Sequence, residues 1–163
     1  ILKSVMDVNV HQRKLFLQKI KKYFSDNHDK NIKTCLQGKK IALWGLAFKP
    51  DTDDIRQSPA VYLIEEFIKS DALVSVYDPE AMHNVKKIFG DKIRFGNDNY
   101  EVLKNADALV ICTEWSVFRT PDFEKMKKLM KDKVVFDGRN LYDTEQMKQL
   151  GFYYCSIGRE TIV

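Results

Sequence analysis

The sequence predicts an α/β fold in which a parallel β-sheet carries helices on both of its faces. Short apolar runs alternate with segments whose apolar residues recur at helical spacing, which is typical of βαβ units. The apolar runs are nearly continuous, as in Ala108–Cys112, and this indicates strands that are buried on both faces. A chain of 163 residues, 44% of them hydrophobic, is long enough for one domain with a substantial core.

The chain begins with a predicted long amphipathic helix over residues 1–24. Its apolar residues recur at near-helical spacing at Val5, Val8, Leu15, Phe16 and Ile20. Because residue 1 is an isoleucine and the helical pattern is already under way there, we expect the segment to continue from a longer chain. Polar and turn-forming residues over 25–38 predict a linker that ends at Gly38, and a domain is predicted over 39–163.

The predicted domain alternates strands with helices. Strands are predicted at Lys40–Trp44, Leu73–Tyr77, Ala108–Cys112, Val134–Phe136 and Tyr153–Ile157, with a short additional one within Lys92–Gly96. Helices are predicted between them at Pro59–Lys69, Glu80–Phe89, Tyr100–Asn105, Pro121–Lys131 and Thr144–Leu150. With right-handed crossovers, this order predicts a doubly wound, Rossmann-like parallel sheet preceded by the long N-terminal helix.

Composition argues against several classes of protein. The 27 basic and 23 acidic residues are interspersed. A nucleic-acid-binding protein would be expected to carry a basic face with stacking aromatic residues, and the sequence shows no such pattern. No apolar stretch approaches the ~20 residues that a membrane span needs. The three histidines lack metal-ligand spacing and the three cysteines form no CxxC pair, so we expect no metal site and a reduced, cytoplasmic protein.

The stretch "WGLAFKPDTDDIRQSPA" places charged residues directly after the first predicted strand. Ligands of such sheets bind outside the carboxyl ends of the strands, which puts this loop at the ligand-facing edge. Ser58 is a good N-cap and Pro59 a good first helical residue, so a helix is predicted to begin behind the loop. Lys49 and Arg56 then flank a helix N-terminus, a position that favours anions.

Other interpretations of this loop stay open at this point. Asp51, Asp53 and Asp54 are also suited to turns and to neutralising the two cations. A calcium loop is disfavoured, because the glycine and glutamate that such a loop needs are missing. One glycine stands where a dinucleotide fingerprint has three, which argues against an independent NAD site. Asp78 ends the second strand and fits either a ribose-binding acid or an ordinary turn.

A second cation follows another strand. Arg139 lies directly after "VVFD", and Gly138 allows close backbone approach there. The planar guanidinium suits phosphate or sugar oxygens, although pairing with Asp137 or Asp143 is the alternative. Cations at the ends of two strands together predict a rim suited to a polyanion such as a nucleotide sugar.

Five motifs carry a resemblance to a known family. In this order they are "GKKIALWGLAFKPDTDDIRQSPA", "SVYDPEA", "ADALVICTEWSVFR", "VVFDGRNLYD" and "GFYYCSIGR". Their order and rough spacing resemble the C-terminal domain of the UDP-glucose/GDP-mannose dehydrogenase family, and "VMDVNVHQRKLFLQKI" resembles the end of its long central helix. "TEW", "FDGRN" and "IGR" are most similar to the UDP-glucose 6-dehydrogenase branch. The UDP-N-acetylmannosamine and GDP-mannose branches are the alternatives, as is a stand-alone nucleotide-binding or assembly domain.

The resemblance implies roles for four residues. Phe48 and Lys49 would contact the nucleotide sugar, Arg139 would reach the substrate, and Arg56 would approach an NAD bound mainly by an N-terminal domain. The acidic residues of the loop would shape it and orient these cations.

The resemblance also implies the reaction and the assembly of a longer protein. The whole enzyme would oxidise the C6 alcohol of UDP-glucose to a carboxylate while reducing two NAD molecules. Cys35, Cys112 and Cys155 do not lie in the family's nucleophile context, so we expect no catalytic residue in this chain. The N-terminal helix would join two subunits in a homodimer or a higher homo-oligomer.

Overall fold

The computed structural model describes the backbone of residues 2–28 and 30–163 and the side chains of residues 11–28 and 30–163. The strands of this part of the chain are β1 (Lys40–Trp44), β2 (Leu73–Tyr77), β3 (Arg94–Phe95), β4 (Ala108–Ile111), β5 (Val134–Asp137) and β6 (Tyr153–Ser156). They form one parallel sheet in the order β3-β2-β1-β4-β5-β6. This is the strand order of the Rossmann fold, so the predicted fold class is confirmed.

Helices connect the strands. They are α1 (Leu2–Asn27), α2 (Pro59–Lys69), α3 (Met82–Phe89), α4 (Ser116–Arg119), α5 (Phe123–Leu129) and α6 (Thr144–Gln149). The predicted helix over Tyr100–Asn105 is wrong in extent, since only a 3₁₀ turn forms at Glu101–Leu103. Asn105 adopts a φ of 58°, and this left-handed conformation cannot continue a helix. None of the helices in the described residues is both long and apolar enough to cross a bilayer.

The part of the first helix whose side chains are described packs against the core of the sheet. Phe16, Leu17, Ile20 and Phe24 form its buried stripe, and the Nζ atom of Lys19 donates a hydrogen bond of 3.1 Å to the backbone carbonyl of Ser156. These contacts bring α1 to the carboxyl ends of β5 and β6. Residue 1 and the predicted apolar side chains at positions 5 and 8 lie outside what the structure describes.

The helix continues three residues beyond the predicted end. Ser25 Oγ donates to the carbonyl of Lys22, and Asn27 Nδ2 donates to that of Tyr23, so polar side chains satisfy carbonyls of the last turn. Within the segment predicted as a linker, Cys35 and Leu36 are buried in the same core as the sheet. The boundaries of the three predicted regions stay predictions.

Candidate functional site

A cleft of about 480 Å³ lies at the carboxyl ends of β1, β4 and β5. Phe48 and Lys49 reach it from the loop after β1, Glu114 from the loop after β4, and Arg139 from the loop after β5. The connection out of β1 runs to β2 on one side, whereas β4 and β5 lie on the other side of β1. The cleft therefore occupies the switch point at which ligands bind in doubly wound sheets.

Arg139 joins all three loops. Its Nε atom donates a hydrogen bond of 2.9 Å to the carbonyl oxygen of Cys112, and its Nη2 atom donates one of 3.0 Å to that of Phe48. The carboxylate of Glu114 forms an ion pair with the guanidinium of Arg139, and its Oε2 atom lies 2.9 Å from Nε. Two of the five N–H groups of the guanidinium are thereby used, and the other three have no acceptor among the described residues.

The acidic neighbours that the sequence suggested for Arg139 serve other purposes. The Asp137 carboxylate is fully buried and accepts hydrogen bonds from the backbone amides of Arg139 and Leu141 and from the hydroxyl of Tyr154. Asp143 caps α6. The alternative in which Asp137 or Asp143 neutralises the guanidinium is therefore wrong, because Asp137 holds the loop backbone instead.

Glu114 carries a carboxylate oxygen that accepts no hydrogen bond from the described part of the chain. Oε2 is buried and lies beside Nε of Arg139, but the hydrogen of that nitrogen points to the carbonyl of Cys112. The side chain as a whole remains 30% exposed, at the cleft. A carboxylate that is only partly satisfied can accept hydrogen bonds from a ligand.

Two glycines let the loops approach each other. A Cβ atom on Gly138 would lie 2.9 Å from the carbonyl oxygen of Ile111 and 3.4 Å from the ring of Phe16. Gly45 has a φ of +88°, and a Cβ atom there would lie 2.5 Å from that of Thr113. The close backbone approach predicted at Gly138 is confirmed, and it seats α1 against the cleft.

Asp78 holds the backbone of the loop after β1 through hydrogen bonds. It is fully buried, and its carboxylate accepts hydrogen bonds from four backbone amides and one indole N–H. The donors are Leu46, Ala47, Glu80, Ala81 and the Nε1 atom of Trp115. Because protein donors already use this acceptor capacity, the turn interpretation of Asp78 holds and a ribose-binding role does not.

The predicted site residues divide into two groups. Phe48, Lys49 and Arg139 line the cleft together, whereas Arg56 is not among its lining residues. Arg56 is 87% exposed and donates to both carboxylate oxygens of Asp54, from Nε at 3.0 Å and from Nη2 at 2.7 Å. These hydrogen bonds lower the pKa of Asp54 to about 2, and the charge of Lys49 contributes to this shift.

The other acidic residues of the loop also shape it. Asp51 adopts a φ of 62°, a turn conformation that aspartate tolerates. Asp53 accepts a hydrogen bond of 3.2 Å from the side-chain amide of Asn84 in α3 and lies 3.4 Å from Nε2 of His83. The loop is thus tied to α3, the helix that follows β2.

The sequence interpretation missed Gln12, Arg13 and Glu114, which also line the cleft. Arg13 lies three positions before Phe16 and seven before Ile20, so it shares their face of the helix. A cation on this otherwise apolar face was the sequence signal that could have identified Arg13. Glu114 lies three positions after Ile111, the last residue of β4. Three cations and one carboxylate among the lining residues leave two net positive charges, which suits a diphosphate.

Cys112 lines the cleft as an unreactive thiol. It is buried, and this burial raises its pKa to about 12. The nucleophilic form of cysteine is the thiolate, so the thiol stays protonated at neutral pH. In the described residues, no group of three or more His, Cys, Asp or Glu side chains is arranged to hold a metal ion.

Comparisons with known proteins agree with this geometry. The model of the UDP-glucose/GDP-mannose dehydrogenase family, UDP binding domain, matches residues 42–144. A UDP-glucose 6-dehydrogenase of Pseudomonas aeruginosa is 37% identical over 164 aligned residues, covering 98% of this chain and 34% of that protein. The UDP-glucose 6-dehydrogenase of Rhizobium meliloti is 44% identical over 124 residues, covering 76% of this chain and 28% of that protein.

A solved structure shares the same fold. The structure of a UDP-glucose dehydrogenase from the archaeon Pyrobaculum islandicum superposes with a TM-score of 0.70 at 28% identity, covering 88% of this chain and 30% of that one. The chain therefore spans about a third or less of the length of these relatives. The chain belongs to the UDP-glucose/GDP-mannose dehydrogenase family and carries its UDP binding domain.

Proposed function

We propose that this chain is the substrate-binding part of a UDP-glucose 6-dehydrogenase and that its cleft binds the UDP portion of the nucleotide sugar. The observation that carries the proposal is the convergence of Lys49 and Arg139 on one cleft at the switch point of the sheet. The similarity to two UDP-glucose 6-dehydrogenases supports the choice of sugar nucleotide.

The cleft offers suitable chemistry for each part of such a ligand. Within the described residues Lys49 forms no ion pair, so its ammonium group is available to phosphate oxygens. Arg139 is held by two backbone carbonyls, and its other three N–H groups have no acceptor in the part of the chain that the structure describes. Phe48 is 44% exposed and presents an apolar surface to a base or a sugar ring.

In the whole protein these residues would bind and orient a substrate whose C6 alcohol is oxidised to a carboxylate. NAD would accept the hydrides, two equivalents for each carboxylate formed. The loop after β1 has a single glycine and its helix begins with proline, so it does not fit a dinucleotide fingerprint. We place NAD mainly on an N-terminal domain, with the exposed Arg56 reaching towards it and the catalytic cysteine lying outside this chain.

We also propose that α1 contributes to a homodimer or a higher homo-oligomer, in a cytoplasmic protein. Leu15 lies outside the buried stripe of the helix and is 37% exposed, which leaves an apolar side chain for a second subunit. Analytical ultracentrifugation of the 163-residue chain should show a dimer. A clean monomer at all concentrations would contradict this part of the proposal.

Titration of the chain with UDP and UDP-glucose, followed by NMR, tests the binding site. Shift changes should cluster at Phe48, Lys49 and Arg139. We expect only millimolar or weaker affinity, since two or three contacts of ~1.5–3 kcal/mol barely offset an association cost of ~4–15 kcal/mol. Micromolar affinity would show that the chain holds a more complete site than we propose.

A matched pair of variants makes the experiment specific. Lys49→Ala should weaken UDP binding, whereas Lys128→Ala removes the same charge from an exposed position on α5 and should leave binding unchanged. Equal effects of the two variants, or shift changes that avoid the cleft, would overturn the proposed binding site.

A further inference from the structure

We infer that Glu114 and Arg139 together recognise a neutral donor–acceptor group on the nucleoside half of the ligand. The nucleoside would lie at the Glu114 side of the cleft and the diphosphate at the Lys49 side. This inference rests on the proposed function and adds to it a specificity residue and a direction of binding.

The first argument is the state of the Glu114 carboxylate. Its Oε2 atom is buried and has no hydrogen-bond donor among the described residues, and its side chain is half-buried at the cleft. Arg139 neutralises the charge through the 2.9 Å ion pair but directs its Nε hydrogen to a backbone carbonyl. The exposed part of the Glu114 side chain and the N–H groups of Arg139 that have no protein acceptor among the described residues therefore line the cleft side by side.

The second argument is charge. A phosphate placed against the Glu114 carboxylate would be repelled, because like charges at short range disfavour each other in a partly buried site. A neutral N–H or O–H group can donate to the carboxylate, and an adjacent oxygen can accept from Arg139. Two parts of a uridine nucleotide have this pattern, namely the vicinal hydroxyls of the ribose and the imide edge of the base.

The third argument is the remaining charge of the cleft. Arg13 and Lys49 also line it, and neither forms an ion pair within the described part of the chain. Pro59, the first residue of α2, lines the cleft as well, and the N-terminus of a helix favours negative charge. The phosphates are therefore better accommodated away from Glu114.

Substitution of Glu114 should leave the scaffold in place. Arg139 keeps its hydrogen bonds to the carbonyls of Cys112 and Phe48 when the carboxylate is removed. Glu114→Ala thus deletes the acceptor, and Glu114→Gln retains one acceptor oxygen without the charge. Glu124→Ala, which breaks an ion pair with Lys127 on α5, is the matched control.

The experiment measures dissociation constants by NMR for UDP, 2′-deoxy-UDP, 3′-deoxy-UDP and N3-methyl-UDP. The unsubstituted chain should bind UDP about tenfold more tightly than at least one analogue, the size expected for one hydrogen bond to a charged group. That ratio should fall to about one in Glu114→Ala, be intermediate in Glu114→Gln, and remain unchanged in Glu124→Ala. If Glu114→Ala no longer discriminates against a deoxy analogue, the contact is assigned to the ribose. If it no longer discriminates against N3-methyl-UDP, the contact is assigned to the imide edge of the base.

Pyrophosphate provides a second readout that a merely structural role would not give. Glu114→Ala should bind pyrophosphate as tightly as the unsubstituted chain or more tightly, although it binds UDP more weakly. If Glu114→Ala weakens UDP, all analogues and pyrophosphate by the same factor, Glu114 only supports the fold and the inference is overturned. If UDP does not bind the unsubstituted chain at all, the proposed function fails and the inference fails with it.

Discussion

The guanidinium of Arg139 donates a hydrogen bond of 3.0 Å to the carbonyl oxygen of Phe48, a residue 91 positions earlier in the chain. This bond joins the loop after β5 to the loop after β1 across the end of β4. The loop after β1 is closed on itself by a hydrogen bond of 2.8 Å from the amide of Phe48 to the carbonyl of Asp54. Arg139 therefore holds the backbone next to Lys49 and also lines the cleft.

Replacing Arg139 should loosen the loop after β1. In Arg139→Ala the amides of residues 46–58 should exchange about fivefold faster, since one net hydrogen bond contributes ~1 kcal/mol. Arg139→Lys should restore only part of the protection, because one ammonium group lacks the planar fork that reaches both carbonyls. Hydrogen exchange with mass spectrometry measures this.

A control for that experiment is available at the far edge of the sheet. Arg94→Ala breaks an exposed ion pair with Glu101 and should not change exchange in residues 46–58. Unchanged exchange of these amides in Arg139→Ala would show that the Arg139 side chain does not restrain the loop after β1.

On the proposed function, removing the charge of Lys49 should weaken substrate use by the full-length protein. Lys49→Ala should raise the KM for UDP-glucose at least tenfold, because one charge-assisted contact of ~1.5–3 kcal/mol is lost. Steady-state kinetics on the full-length protein measure this, with Lys128→Ala as the control of equal charge. An unchanged KM would remove Lys49 from the substrate site.

The buried carboxylate of Asp78 should be important for stability. In Asp78→Ala the five donors lose their acceptor, and we expect the free energy of unfolding to fall by about 3 kcal/mol or more. Urea denaturation measures the change. Asp91→Asn, at an exposed position, should have little effect, and equal stability of the two variants would contradict the structural role of Asp78.

The pair of Asp54 and Arg56 should respond to acid only at very low pH. The pKa of Asp54 is lowered from 3.8 to about 2, chiefly by the hydrogen bond from the Arg56 side chain. Because the pKa is lower in the folded state, the ionised carboxylate stabilises the fold at any pH above the pKa of the unfolded state. This contribution is lost as pH falls from about 4 to 2. The pair is therefore intact at neutral pH and keeps Arg56 oriented.

An NMR titration of the carboxyl shifts tests this pair. It should start at pH 6 and proceed downwards past about 3.9, where an ordinary aspartate titrates. Asp54 should titrate near the lowered value in the native chain and near its ordinary value in Arg56→Gln. The same midpoint in both proteins would mean that Arg56 does not hold the carboxylate.

Much of the fold could be predicted because its signals are local. β1 and β2 have the predicted bounds, and α2 begins where Ser58 and Pro59 indicate, with Ser58 Oγ accepting from the amide of Ala60. An apolar run or a capping residue determines its own segment through nearby backbone and side-chain atoms. The 3₁₀ turn at Glu101–Leu103 was predicted less well, because six residues carry too little periodicity to distinguish it from a helix.

The sequence by itself determined the strands, their alternation with helices and the cations at two strand tips. Only the tertiary structure decided which acid meets Arg139, what Asp78 holds, and that Arg13 on α1 lines the same cleft. The physical reason is that these contacts join residues far apart in the chain. Their distances depend on the placing of β1 beside β4 and β5 and on the docking of α1, which no local pattern encodes.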